Sequence, residues 1–361
     1  MSICSEPKRI LIIQLRRIGD VLMCTPVIRA LRQRYPQCHL AFLTEEESKA
    51  VLLTNPNLNE VIVWDKNKYK NWLYVLKKIK EIRGKKFDTV IDLLGTPRTA
   101  MACFLSGAEQ RIGFAYRFRE NFYNIKVTPD KNEKYGACYK LDAVKPLGIE
   151  SSDCRLELVL NTKVKNFAQE FYKDNQIQET DLKISISATA RRRFNFWFLD
   201  RYAKLADGLI EKYGAKVILV WGPGEKEIVE KIASLMTFKP VVAWETPSLL
   251  ELGAILEKCD LHLGNDNGTK HIATAVGVPT VTIYGPHSPV SWTYPDPNWH
   301  KFVKKECPCA NKERRKHSCT KVTCLDLILV EEVQKLLDST IPELPKFKNQ
   351  EVEKAKHTAV N

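Results

Sequence analysis

Short, continuously apolar runs alternate with helix-length amphipathic stretches along most of this chain, and that alternation limits its fold more than any other feature. A run that is apolar at every position needs cover on both faces, which a parallel sheet flanked by helices provides. In the first half the runs are RILIIQL (9–15), LAFLT (40–44), VIVW (61–64), DTVIDLL (88–94) and RIGF (111–114), with helical patterns at 24–34, 70–83 and 98–106. A second series follows: KISISA (183–188), KVILVW (216–221), PVVAW (240–244), LHLGN (261–265) and TVTIY (280–284), with helical patterns near 197–213, 225–236, 248–258 and 269–276. The chain has 361 residues, long for one core. The pattern therefore predicts an α/β protein with two doubly wound sheets in tandem, a first domain over 1–165 and a second over 175–340. The polar stretch 155–180, with KDNQIQETD, reads as the linker. Residues 341–361 are charged and proline-broken, and read as a mobile tail.

Net charge is +13, unevenly spread: residues 1–155 hold 27 Lys and Arg against 17 Asp and Glu. The first domain should face something acidic, such as nucleic acid, an anionic membrane surface or a phosphorylated or carboxylated substrate, unless the excess lysine serves solubility alone. No RRM, KH, helix-turn-helix or zinc-finger signature supports nucleic acid. No window reaches about 18 apolar residues, and the N-terminus lacks a small-residue cleavage site, so a cytoplasmic protein is expected. Seven of the eleven cysteines are scattered, mostly among apolar neighbours, as free thiols that pack like small hydrophobes. Cys307, Cys309, Cys319 and Cys324 crowd together with His317 between. Four thiolates at that spacing can close a structural zinc site, although it is not a common finger pattern, and a disulfide framework does not suit a reducing cytosol.

In open parallel sheets ligands sit beyond the carboxyl ends of strands, so motifs there carry the most weight. After the first strand come Arg16, Arg17, Ile18, Gly19 and Asp20. Gly19 permits a tight turn. Asp20 is either a carboxylate favoured by a helix N-terminus or a general base for a hydroxyl, with Arg16 and Arg17 holding an anion. After KISISA, Thr189 and Arg191 to Arg193 suit a phosphate site, or else form a solvated charge run. WGPGEKE (221–227) places Glu225 where a carboxylate can accept from ribose hydroxyls, or merely start a helix. LHLGNDNGTKHIATAVGVPTVTIYGPHSP (261–289) runs a strand into Asp266, Asn267 and Gly268, whose amides can form an anion-binding turn at a helix head, with His271 in the first helical turn. A capped helix with a packed histidine is the plainer alternative. In KNKYKNWLYVLKKIKEIRGKK (66–86), Trp72, Val75, Leu76, Ile79 and Ile82 recur at helical spacing. They predict a core-facing helix, whose basic face with Lys70, Lys77, Lys78 and Lys80 could also meet anionic lipid.

"RRIGDVLMCTP", "GPGEKE", "TPSLLELGAIL" and "NDNGTKHIATAVGVPTVTIYGP", in this order, resemble glycosyltransferase family 9, the ADP-heptose:lipopolysaccharide heptosyltransferases. The resemblance spans roughly residues 8–337 and implies the GT-B architecture, two Rossmann-like domains facing a central cleft. It implies Asp20 as catalytic base, Arg16, Arg17 and Gly19 at the acceptor, and inverting transfer from an ADP-sugar with no metal at the active site. Glu225 then binds ribose, with Glu227 close enough to compete, and Thr246 to Leu249 pack the adenine. Asp266, Asn267, Gly268 and His271 would hold the diphosphate, together with Thr189. Two positions depart from the family. A lysine that contacts phosphate is replaced by Asn195, which passes that role to Arg191 or Arg193, and a serine or threonine after the loop aspartate is Asn267. The resemblance makes the late cysteine cluster a structural feature. The expected partners are a nucleotide-sugar donor, an anionic lipopolysaccharide or other glycolipid acceptor and the inner face of the cytoplasmic membrane, without nucleic acid. A transferase or epimerase using another nucleotide sugar is the alternative on this fold.

Overall fold

The computed structural model describes residues 6–116, 119–306 and 323–347. The chain divides into two units, one running to Asn161 and taking in Val290–Tyr294, the other formed by Thr162–Pro289 and the residues from Pro295 onward. The first holds a six-stranded sheet of β1 (Arg9–Ile13), β2 (His39–Thr44), β3 (Glu60–Val63), β4 (Thr89–Asp92), β5 (Gln110–Phe114) and β6 (Ile125–Val127). Its order is β3-β2-β1-β4-β5-β6 and every pairing is parallel, with Ile10 opposite both Leu40 and Thr89.

The second unit repeats this plan with β7 (Lys183–Ser187), β8 (Lys216–Leu219), β9 (Val241–Val242), β10 (Leu261–Asn265), β11 (Thr280–Tyr284) and β12 (His300–Lys304). The order is β12-β11-β10-β7-β8-β9, again all parallel. In each unit the chain starts at the sheet centre, winds outward one way and then returns to wind the other way. The winding reverses between β1 and β4 in the first unit and between β7 and β10 in the second, and loops diverge there to leave a crevice at the carboxyl edge. Ile10 to Ile13 are fully buried, as the unbroken apolar run requires, and Leu261 and Leu263 are buried together with His262 between them.

Several details differ from the sequence reading. Residues 162–174, inside the expected polar linker, form the helix Thr162–Asp174, which packs on helix Leu249–Glu257. Val164, Ala168, Phe171 and Tyr172 are its buried stripe, thinly spaced among lysines, and the Tyr172 hydroxyl donates to the Ile255 carbonyl at 2.8 Å. Strands β6 and β12 and the helix Val330–Thr340 also escaped the apolar-run criterion, because each is short or polar on one side. The packed part of the chain continues past 340: Ile341 and Leu344 are buried and Lys346 donates to the Glu179 carbonyl.

Cys138 and Cys154, read as free thiols, form a disulfide. The chain between them folds back through a 3-10 helix, Asp142–Leu147, and the left-handed Gly148, bringing two cysteines 16 residues apart to a Cα separation of 5.1 Å. Spacing alone did not reveal that reversal. Cys24, Cys38, Cys103 and Cys259 are buried free thiols. Of the late cluster only Cys324 is described, and it is buried; Cys307, Cys309 and Cys319 lie outside the described residues. Helix Trp72–Gly84 buries Ile79 and Ile82 and packs the partly buried Tyr74 and Val75 against the core, while Trp72, Leu73 and Leu76 are 66%, 59% and 50% exposed. The core-facing expectation thus holds for Val75, Ile79 and Ile82 and fails for Trp72 and Leu76.

Candidate functional site

In the second unit the loop after β10 is drawn tight by amides. Asn265 donates to the Ala188 carbonyl at 2.6 Å and accepts from the Trp197 backbone N–H at 3.2 Å. Asn267 caps the helix Gly268–Ala275 by accepting from the Lys270 N–H at 3.0 Å, and its Nδ2 donates to Ser187 Oγ and the Thr189 carbonyl, both at 2.8 Å. Every polar atom of the Asn267 side chain is thus engaged in joining the β7 and β10 loops. Gly268 opens the helix, so its first-turn N–H groups lie at the reversal between β7 and β10.

Behind this turn sits a charged cluster. Asp266 Oδ1 accepts from Lys270 Nζ at 2.6 Å, and Oδ2 accepts from His287 Nδ1 at 3.3 Å. Lys270 Nζ also donates to the Tyr284 hydroxyl at 2.9 Å. Burial alone would raise the Asp266 carboxyl, but the Lys270 ammonium and the His287 imidazole outweigh it and hold the group well below the usual carboxylate range. Burial pushes Lys270 down from its ordinary value, against the pull of Asp266. His271 is only 4% exposed, and burial, reinforced by Lys270, lowers it to about 3. It is therefore a neutral imidazole at pH 7, offering a hydrogen bond rather than the positive charge an anion site would exploit. His287, one-third exposed, reaches the surface beside Asp266.

At the ends of β7 and β8, Glu225 Oε2 accepts from Thr189 Oγ1 and from the Gly222 N–H, both at 2.8 Å. Both bonds fall on one oxygen. Glu227, by contrast, is exposed in the first turn of helix Lys226–Leu235. A hollow of about 400 Å³ follows β8 and β9, lined by the apolar Trp221, Val242, Ala243 and Trp244 and the charged Lys226, Glu230 and Glu245. Thr246 follows Glu245 in sequence, and Leu249 follows Ser248, the cap of helix Leu249–Glu257. Arg191 is exposed and the Arg192 guanidinium lies over the Phe194 ring. The Arg193 side chain lies outside the described residues, its backbone opening the 3-10 helix Arg193–Asn195. Asn195 is buried against His287 at 3.3 Å, with Oδ1 lacking a hydrogen-bond partner.

In the first unit Asp20 lies in the short helix Ile18–Leu22 that follows β1, half-buried, with Oδ2 3.4 Å from the Arg17 N–H. Arg16 and Arg17 are exposed and Gly19 is buried at the turn. Beneath the loop, Lys140 Nζ donates to Gln14 Oε1 at 2.8 Å, and Gln14 Nε2 donates to the Arg16 carbonyl. Lys140 is 7% exposed, and among the described residues no carboxylate pairs with it. At the end of neighbouring β4, Asp92 accepts from the Leu94 and Gly95 N–H groups at 3.0 Å and from the Tyr123 hydroxyl at 2.7 Å. Arg98 stacks over Tyr69 at 3.9 Å and Arg119 donates to the Gly95 carbonyl, so this edge carries more guanidinium groups than Arg16 and Arg17.

Lys140, Arg98, Arg119, Lys270, Tyr284 and His287 were not singled out from the sequence. Of these, Lys270, Tyr284 and His287 had a usable signal, since all three fall within the motif at 261–289.

The family model of glycosyltransferase family 9 (heptosyltransferase) matches residues 75–323. Among curated relatives, the lipopolysaccharide core heptosyltransferase OpsX of Haemophilus influenzae is 27% identical over 318 residues, covering 86% of this chain and 88% of its own. Lipopolysaccharide heptosyltransferase 3 of Escherichia coli is 28% identical over 295 residues, 77% of this chain and 83% of the relative. A family 9 glycosyltransferase structure from Veillonella parvula aligns with a TM-score of 0.83 at 26% identity, covering 93% of this chain and 98% of that one. The E. coli ADP-heptose lps heptosyltransferase II structure, at 19% identity and a TM-score of 0.73 over 92% and 98% of the two chains, shares the fold. With more than half of its length matched to the family and both doubly wound sheets in place, the chain belongs to glycosyltransferase family 9, the heptosyltransferase family.

Proposed function

We propose that the chain transfers heptose from ADP-heptose to a hydroxyl of an anionic lipopolysaccharide inner-core acceptor, with inversion at the anomeric carbon. The observation that carries this reading is the amide-lined turn at Asn267–Gly268 on the β7/β10 reversal, backed by the Asp266–Lys270–His287 cluster. The hollow lined by Trp221 and Trp244 suits a purine, and Glu225, fixed through Oε2, suits a ribose hydroxyl. The diphosphate would lie on the N–H groups of the Gly268 turn, with Arg191 neutralising the charge that develops on departing ADP and the exposed edge of His287 available as a hydrogen-bond partner. Helix end and basic side chains do here what a divalent cation does elsewhere, so chelation with EDTA should leave turnover unchanged.

Asp20 would remove the proton from the acceptor hydroxyl as its oxygen attacks the anomeric carbon and the bond to the ADP oxygen breaks. Arg16, Arg17, Arg98 and Arg119 would attract the acceptor's phosphates or carboxylates. No helix among the described residues is long and apolar enough to cross a membrane, so we place the reaction at the inner membrane face on the chemistry of the acceptor alone. Asp20→Asn tests the assignment. It should keep ADP affinity within twofold and lose about a hundredfold or more in turnover, the size typical of a general base. Normal turnover in that variant removes Asp20 from the mechanism.

A further inference from the structure

Helix Trp72–Gly84 presents two neighbouring columns to solvent. Side chains four apart stack along a helix, so Trp72, Leu76 and Lys80 form one column and Leu73 and Lys77 the other. Each begins apolar and ends in lysine, and Lys70 precedes them. Trp72, Leu73 and Leu76 are at least half exposed, while Val75 and Ile82, on the side next to the Trp72 column, pack against the core and Ile79 is buried one turn beyond Val75. Lys70, Lys77 and Lys80 are exposed and, among the described residues, none takes part in an ion pair, whereas Lys78 is paired with Glu81. A bulky apolar tip ringed by unneutralised cations is the pattern of a surface that rests in a bilayer interface: the rings enter the headgroup boundary and the ammonium groups meet lipid phosphates.

We infer that this helix docks the first unit onto anionic phospholipid bilayers through Trp72, Leu73 and Leu76, with Lys70, Lys77 and Lys80 on the headgroups. Charge complementarity selects this occupant. A second copy of the chain paired across a twofold axis would set these lysines against their equivalents around the patch, at a cost in like-charge repulsion. The excess of cations over residues 1–155 attracts the same unit to a negative surface. The inference deepens the proposed function by naming the partner surface of an enzyme whose acceptor is lipid-borne, but it is read without substrate.

The test is co-sedimentation of the full chain with phosphatidylglycerol-rich vesicles and with pure phosphatidylcholine vesicles, beside Trp72→Ser/Leu73→Ser/Leu76→Ser and Trp72→Phe. Wild type and Trp72→Phe should bind the anionic vesicles at least ~10-fold more tightly than the neutral ones. The triple variant, with thermal unfolding unchanged because it alters exposed side chains, should lose ~10-fold or more of that binding. Equal binding by triple variant and wild type overturns the inference, as does absence of wild-type binding to anionic vesicles. A lipid-free dimer that the triple variant abolishes assigns the patch to self-association and overturns it too. A soluble acceptor fragment should be used equally well by wild type and triple variant, which keeps a failure of the transfer reaction distinct from a failure of docking.

Discussion

Lys270→Met removes one charge from a buried pair and leaves the shape nearly unchanged. Lys270 and Asp266 side chains are 3% and 9% exposed and meet at 2.6 Å. At an effective dielectric of about 20, opposite unit charges at this distance attract by about 6 kcal/mol, and the desolvation of both offsets much of it in the wild type. In the variant the desolvation of Asp266 remains and the attraction is gone, with His287 at 3.3 Å as the partner left for its carboxylate. The expected loss is about 3–5 kcal/mol. At about 2–4 °C per kcal/mol for a unit of this size, Tm should fall by about 6–20 °C in calorimetry of the full chain. Asp266→Asn/Lys270→Met, which leaves no uncompensated charge, should recover more than half of the deficit. In wild type the Asp266 carboxyl is held below its unfolded value of about 3.9, so its contribution is complete above that pH and is lost as pH falls through the folded pKa. Without Lys270, burial dominates and the carboxyl moves up, so the variant's deficit should shrink on acidification toward pH 5. A loss under about 1 kcal/mol, or a double variant no more stable than the single one, refutes the reasoning.

Three buried histidines make the second unit acid-sensitive for a different reason. Burial lowers His262 and His271 to about 3 and His300 to about 4, so each stays neutral when folded and binds a proton once unfolded below about 6.5. Their stabilising contribution is complete above that value and falls by about 1.4 kcal/mol per pH unit for each histidine as pH drops; urea midpoints flat from pH 7 to pH 5 would contradict this. Gly264→Ala tests the closeness of the central strands, since a Cβ there would stand 2.5 Å from the Ser187 carbonyl oxygen. Strands β7 and β10 would have to part at the site itself, and a loss of about 1–3 kcal/mol together with weaker ADP binding is expected; unchanged unfolding and ADP affinity would show that the sheet yields freely.

Legibility followed the physics of each element. Strands buried on both faces, such as Arg9–Ile13 and Thr89–Asp92, read directly from short runs rich in Ile, Leu and Val, as did the loops at their carboxyl ends. Helix Thr162–Asp174 did not, because its buried residues are spaced among lysines and its polar content looked like a linker. Trp72 misled in the other direction: helical periodicity identifies the apolar side of a helix and says nothing about whether another element covers it. Asp266, Asn267, Gly268 and His271 were singled out in the sequence, but the bonding of Asn267, engaged in capping and in joining two loops, and the neutrality that burial imposes on His271 depend on the tertiary surroundings.

Taken alone, the order of residues determined the α/β class, the doubling of the wound sheet and the strand ends where chemistry belongs, because a strand covered on both faces is predominantly apolar and a reversing loop needs glycine and short polar side chains. The tertiary structure alone decided which charges meet. Lys270 reaches Asp266 one helical turn away, His287 arrives from the loop after β11, and Cys138 finds Cys154 across a turn. Such pairings depend on burial and on distances between segments remote in sequence, where a low-dielectric surrounding fixes both the partner and the charge state.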